Sequence, residues 1–286
     1  MEDAGGHRRN TVYVQRLMTG VVFVNSRSGS AEPSAEDLSG AAAALGVRVH
    51  VLREGDDLGR LAGEAEADIL GMAGGDGSMA PVAAAAIERD LPFVCVPFGT
   101  RNHFAGDLGL DCDDPLRMLD AFVTGIERRV DVGRVNGQLF LNNVSLGVYA
   151  RLVHRREHHR RRRELFARAK ALALSLRDHK LRERFVVDGR PVLASVVLVA
   201  NNEYTLDLYS LGERERLDEG TLVLYAARGL KRLRWTETRA KELEVVAPRS
   251  PVHAAVDGEP ALLESPLRLT VEPQALRILV PAGSGS

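Results

Sequence analysis

Short apolar runs alternate with stretches of helical spacing up to about residue 126. Val21–Val24 reads as a buried strand, and an Ala-rich helix follows from Ala35 to Leu45. Val47–Leu52 gives a second strand, Leu58–Ala65 a second helix, Ile69–Ala73 a third strand and Val82–Arg89 a third helix. Phe93–Pro97 is a fourth strand, and Asp114–Gly125 reads as a further helix. Strands separated by helices imply right-handed crossovers and a mainly parallel sheet covered on both faces. Ligands of such sheets collect at the carboxyl ends of the strands.

From Arg129 the texture changes to strands joined by turns. Val130–Val135, an Asn136-Gly137 turn and Leu139–Val144 come first. Phe185–Val187, Val192–Val199, Leu222–Ala226, Leu243–Val246, Val252–Val256, Leu267–Val271 and Leu276–Val280 follow. Such spacing predicts an antiparallel, sandwich-like unit. The exception is Leu152–Leu181, whose composition is helical. The predicted fold class is α/β, with an N-terminal, mainly parallel β/α domain over 20–127 and a C-terminal antiparallel β-sandwich-like domain over 128–281. The last strand has the option of returning to the first sheet. Residues 1–19 read as a flexible leader and 282–286 as a flexible tail, and no internal repeat is visible.

Composition narrows the class. The chain has 286 residues, 45% hydrophobic and 27% charged, with a formal net charge of -1. That content builds a core, and the weak average field argues against a disordered chain or a dedicated nucleic-acid binder. Cys95 and Cys112 are too few for a disulfide framework or a thiolate zinc site. The longest nearly unbroken apolar stretch, Val192–Ala200, is shorter than the roughly 20 residues that span a bilayer. The first 17 residues lack the apolar core of a signal peptide, so a cytoplasmic protein is expected. The neutral sum conceals an asymmetry: Arg151–Lys170 holds eight Arg and one Lys against Glu157 and Glu164, a local charge of +7, which leaves -8 elsewhere.

Three polar loops stand at predicted strand ends. Gly74-Gly75-Asp76-Gly77-Ser78 follows the third strand and precedes a helix. Glycines there let a backbone approach an anion, and the amides and dipole of a helix N-terminus favour a phosphate. A carboxylate among phosphates makes sense mainly through a divalent cation, so Asp76 points to Mg2+ with a nucleotide. A tight strand-to-helix turn with a solvent-facing Asp satisfies the same spacing. The loop lacks the Gly-Lys-Ser/Thr ending of a Walker A motif. Pro97-Phe98-Gly99-Thr100-Arg101-Asn102-His103-Phe104 and Asn25-Ser26-Arg27-Ser28-Gly29-Ser30 are the other two loops, and the three converge on one cleft.

Together these loops resemble the diacylglycerol kinase catalytic domain family, which includes bacterial lipid kinases and sphingosine kinases and is distantly related to NAD kinases. The family pattern is Asn-Pro-x-Ser-Gly, Gly-Gly-Asp-Gly-Thr and Pro-x-Gly-Thr-x-Asn-Asp-Phe, then an Asp-Gly-Glu near the end of a β-rich second domain. Here Asn25–Gly29, Gly74–Ser78, Pro97–Phe104 and Asp257-Gly258-Glu259 stand in that order. The resemblance implies transfer of the γ-phosphoryl group of ATP to a lipid hydroxyl, between a nucleotide domain and a lipid-side domain. By position, Asn25, Ser28, Gly29, Gly74, Gly75, Asp76, Gly77, Ser78, Gly99, Thr100 and Asn102 would hold Mg-ATP. Asp257 would be the general base, supported by Glu259, with Asp76 sharing in catalysis through Mg2+; a turn between two strands is the plainer account of Asp257-Gly258. The family's structural metal implies a carboxylate at Glu219, where Asp is usual.

Departures from the pattern are Ser26 for Pro, Pro81 for Glu and His103 for Asp. Proline suits a first helical turn, so Pro81 is expected there, with a carboxylate lost from the cleft. These departures suggest a divergent branch, and a catalytically silent nucleotide- or lipid-binding homologue or a kinase of a soluble acceptor are the alternatives. The Arg151–Lys170 stretch suits peripheral contact with an anionic membrane, or is simply a solvated helix face. No recognition motif for nucleic acid accompanies it. Asn142-Asn143 and Asn201-Asn202 read as buried amides at the domain junction. A homodimer is compatible with the sequence.

Overall fold

The protein is described by a computed structural model covering residues 18–28, 33–147, 182–205, 213–227 and 235–282. Four parallel strands, β1 Gly20–Val24, β2 Arg48–Val51, β3 Ile69–Gly74 and β4 Phe93–Pro97, lie side by side in the order β2-β1-β3-β4. They are linked through α1 Ala35–Ala44, α2 Leu58–Glu64 and α3 Asp76–Glu88. β1, β3 and β4 are buried at every position, as their continuous apolar runs require. The edge strand β2 is half exposed. α1 begins at a reciprocal capping box between Ser34 and Asp37.

α4 is His103–Asp107. The helix predicted over Asp114–Gly125 is shorter than expected: a 3-10 turn, Arg117–Asp120, runs into α5 Ala121–Thr124. β5 Ile126–Val135 then pairs with β6 Gln138–Phe140 across the Asn136-Gly137 turn. The boundary expected near residue 127 therefore falls at the start of a strand. The long final strand, β16 Leu267–Val280, pairs with β4 in parallel and with β5 and β13 (Glu242–Val246) in antiparallel fashion. Thus the last strand does return to the first sheet, which continues through β13 to β8 Glu183–Val187 and β9 Arg190–Ala194.

A second, wholly antiparallel sheet has the order β12-β11-β10-β7-β14-β15. Its strands are β7 Asn143–Gly147, β10 Val196–Asn201, β11 Leu222–Ala227, β12 Trp235–Ala240, β14 Val252–Val256 and β15 Glu259–Leu263. Val135, Phe185, Val245 and Leu267 of the first sheet share one core with Val144, Val197, Leu224 and Ala254 of the second, so the two pack as a sandwich. The predicted strand Leu139–Val144 is in fact two strands in different sheets. Its break, Leu141-Asn142, lies where backbone amides turn away from the ladder to a carboxylate described below. The basic stretch Arg151–Lys170 lies outside the described residues.

Candidate active site

α3 begins at Asp76, six residues earlier than predicted, with Gly75 as an N-cap that supplies no side-chain hydrogen bond. A glycine N-cap leaves the first-turn amides of the helix without a side-chain partner. The Ser78 hydroxyl turns back and donates to the Gly75 carbonyl at 2.8 Å. The early start places Pro81 in the second helical turn rather than the first. There it lacks the N–H that would bond the Gly77 carbonyl.

The loops touch through backbone. A Cβ on Gly99 would strike the Gly75 Cα, so glycine lets the loops after β3 and β4 meet directly. Asn102, buried with φ 52°, closes its own loop: the Gly99 N–H donates to Asn102 Oδ1 at 2.9 Å, and Asn102 Nδ2 donates to the Gly99 carbonyl at 3.0 Å. Thr100 is exposed on the same loop. On the first loop, the Asn25 N–H donates to the Ala73 carbonyl at 2.9 Å and Asn25 Oδ1 accepts from the Arg27 N–H at 3.2 Å. The Ser28 N–H donates to the Asn25 carbonyl at 3.0 Å. Gly29 lies outside the described residues.

Asp76 ties the glycine loop to α4. Its two carboxylate oxygens accept the backbone N–H groups of His103, at 3.1 Å, and Phe104, at 2.9 Å. The Asn142 amide Nδ2 also reaches Asp76 Oδ1, at 3.4 Å. Asp257 and Gly258, with φ of 48° and 83°, form the two-residue turn between β14 and β15. Asp257 is nonetheless 8% exposed and accepts three amides: Leu141 at 2.8 Å, Asn142 at 2.7 Å and Asn143 at 3.1 Å. The turn account and the site account are therefore compatible. Burial pushes its carboxyl up to about 6 against the pull of those amides, and the charge of Asp76 adds to the rise.

Glu259 crosses the gap between the two sheets' loops: a Cβ on Gly77 would collide with its side chain. Beside it lies a cleft of about 300 Å3 between α3 and the hairpins β5-β6 and β14-β15, lined by Gly77, Pro81, Arg134, Leu139, Asp257 and Glu259. Glu219 stands apart from this group, in the loop before β11, where its Oε2 accepts the Glu203 N–H at 3.1 Å. The buried carboxylate that holds that loop is Asp131 of β5, which accepts from the amides of Gly220, at 2.6 Å, and Gln274, at 2.7 Å. Among the described residues, no group of three or more His, Cys, Asp or Glu could hold a metal ion.

Two residues stand out that the sequence did not mark. Arg214 has a fully buried side chain and pairs with Asp107 of α4 at 2.6 Å. They are 107 positions apart, and neither belongs to a motif, so only folding brings them together. The asparagine pairs do lie at the junction: Asn142, Asn201 and Asn202 are buried, and Asn201 Nδ2 donates to the carbonyls of Asp131 and Leu141.

The matches that bear on this site are to kinases of the diacylglycerol kinase-like class. Residues 19–135 match the family described as "Diacylglycerol kinase catalytic domain". A protein named "Probable lipid kinase YegS-like" from Pseudomonas aeruginosa is 27% identical over 291 aligned positions, which cover 92% of this chain and 94% of that protein. One of the same name from Chromohalobacter salexigens is 29% identical, over 82% of this chain and 84% of its own length. "Diacylglycerol kinase" from Bacillus subtilis is 38% identical over 79 residues, 27% of this chain and 26% of that protein. A crystal structure of a diacylglycerol kinase from Bacillus anthracis shares the fold with a TM-score of 0.65 at 16% identity, covering 94% of this chain and 99% of that one. No described helix is long and apolar enough to cross a membrane.

Proposed function

We propose that the protein transfers the γ-phosphoryl group of ATP, as its magnesium complex, to the hydroxyl of a diacylglycerol-like lipid. The observation that carries this reading is the position of Asn142: its backbone N–H holds Asp257 and its side-chain amide reaches Asp76. One residue thus bridges the carboxylate at the glycine loop and the carboxylate of the β14-β15 turn. Phosphoryl transfer depends mainly on positioning and charge neutralisation, with a carboxylate to take the hydroxyl proton.

In this reading the uncapped amides of α3 bind the phosphates. Asp257 Oδ2, which accepts a single amide, keeps a lone pair for the proton of the attacking hydroxyl. Glu259 is packed over Gly77, beside those α3 amides. The donor set fits Mg2+, a hard cation that takes oxygen ligands and keeps several waters. Asp76 would hold it through Oδ2, which accepts the His103 N–H and retains an acceptor site, and the phosphates would complete the shell. Bound there, the cation would neutralise charge on the transferring phosphoryl group. The Arg151–Lys170 stretch would bring the cleft to an anionic membrane, at about 1 kcal/mol for each cation near the surface.

The test is transfer of labelled phosphate from ATP to a panel of diacylglycerol, sphingoid and phosphatidylglycerol acceptors. Wild-type protein yields labelled lipid; Asp257→Asn yields none while binding ATP within a few-fold of wild type. Label on no lipid would falsify the reading, and label on a soluble dinucleotide instead would move the acceptor out of the membrane.

A further inference from the structure

We infer that Arg214 is the positioning residue of this site, setting the orientation of the Asn142 amide and the backbone turn that holds Asp257. The inference rests on the roles proposed above for Asp76 and Asp257.

A guanidinium has five N–H donors, and here its three nitrogens make four hydrogen bonds and a close ion pair. Nε donates to Asp107 Oδ2 at 2.7 Å; Nη2 donates to Asn142 Oδ1 at 2.7 Å and lies 2.6 Å from Asp107 Oδ2 as an ion pair. Nη1 donates to the carbonyls of Leu141, at 2.7 Å, and Asn201, at 2.9 Å. The Arg214 N–H adds a bond to Asp107 Oδ1 at 3.1 Å, and its guanidinium lies 5.8 Å from the centre of the Tyr204 ring. One side chain therefore joins α4 to the β6-β7 turn and the end of β10.

The consequence for chemistry follows from donor and acceptor types. Because Arg donates only, the Asn142 amide must present its oxygen to Arg214. Its Nδ2 is then the group left to face Asp76, as it does at 3.4 Å. An unconstrained amide is free to flip and set an oxygen against the Asp76 carboxylate. The same guanidinium grips the Leu141 carbonyl, whose residue's N–H and the next two hold Asp257. Arg214 touches neither carboxylate yet orients the donors of both.

A purely structural ion pair makes a different forecast. Replacing a buried pair by apolar residues of similar volume is often neutral or stabilising, whereas removing one partner leaves a buried unpaired charge. Arg214→Met alone should lower the melting temperature, and Arg214→Met with Asp107→Leu should regain most of it. If Arg214 positions the site, that stable double variant still loses kcat on the order of 10²-fold with KM for ATP little changed. Its amides at Leu141, Asn142 and Asn143 should also exchange with deuterium at least about tenfold faster, with β1 as internal reference. Arg214→Lys keeps a cation for Asp107 but has three donors and no planar fork. It should fold and show the same losses, and it carries the test if the double variant does not fold. A folded double or Lys variant with wild-type protection at those three amides overturns the inference. If the wild-type protein phosphorylates no lipid, the functional reading fails while amide exchange still decides the role of Arg214.

Discussion

At Asp257 two effects act on one carboxylate. Burial favours its neutral form, three backbone amides favour its ionised form, and the balance stands at about 6. That suits a general base working near neutrality. Since the protonated acid cannot accept a proton, kcat/KM should fall as pH drops through 6, to about a tenth of its plateau at pH 5. A pH–rate profile flat from 8 to 5 would place the base elsewhere. The loss is not acid unfolding at this group: its folded pKa lies above the ordinary 3.8, so protonation favours the fold. The associated stability is fullest below about pH 4 and is lost as pH rises through 6. Asp76 stood out in the sequence through the glycines and strand end beside it, whereas Asp257 stood out only through the resemblance, since Asp-Gly between two strands also reads as a turn. Arg214 did not, because an isolated Arg becomes informative only beside Asp107, Leu141, Asn142 and Asn201.

Among the elements, α3 is where the sequence and the structure differ most usefully. The apolar pattern from Val82 marks the buried face, but the helix starts at Asp76 because Gly75 is extended and serves as its N-cap. Pro81 consequently interrupts the hydrogen-bond ladder one turn in. Pro81→Ala supplies the missing donor to Gly77 and loses some chain stiffness in the unfolded state, a net gain of about 1–2 kcal/mol. Thermal melting should show a rise of several degrees; an unchanged or lower midpoint would mean that the helix already accommodates the proline. Gly99→Ala should act the other way, since its methyl meets the Gly75 backbone rather than a movable side chain. A loss of about 1–3 kcal/mol is expected, along with weaker ATP binding. The strand read as Leu139–Val144 splits for a reason that periodicity does not carry: Asp257, 114 residues beyond Asn143, takes amides that would otherwise continue a ladder.

At the scale of the molecule, β5 and β16 carry one sheet from the glycine-loop region into the sandwich, so the cleft is framed by strands rather than by a linker. The fold class was legible because parallel and antiparallel regions differ in how apolar residues alternate. Charge is the other property of the whole. The chain sums to -1, with +7 concentrated in Arg151–Lys170. Such a chain should sediment with anionic vesicles and be released by salt, and equal binding to neutral vesicles would remove the electrostatic account. The most direct test of the central claim is incubation of the purified protein with ATP, Mg2+ and a total lipid extract, followed by mass identification of the products. The account expects a hydroxyl-bearing lipid to gain one phosphoryl group with wild-type protein and not with Asp257→Asn. A phosphorylated lipid formed equally by both, or none formed by either, would contradict it.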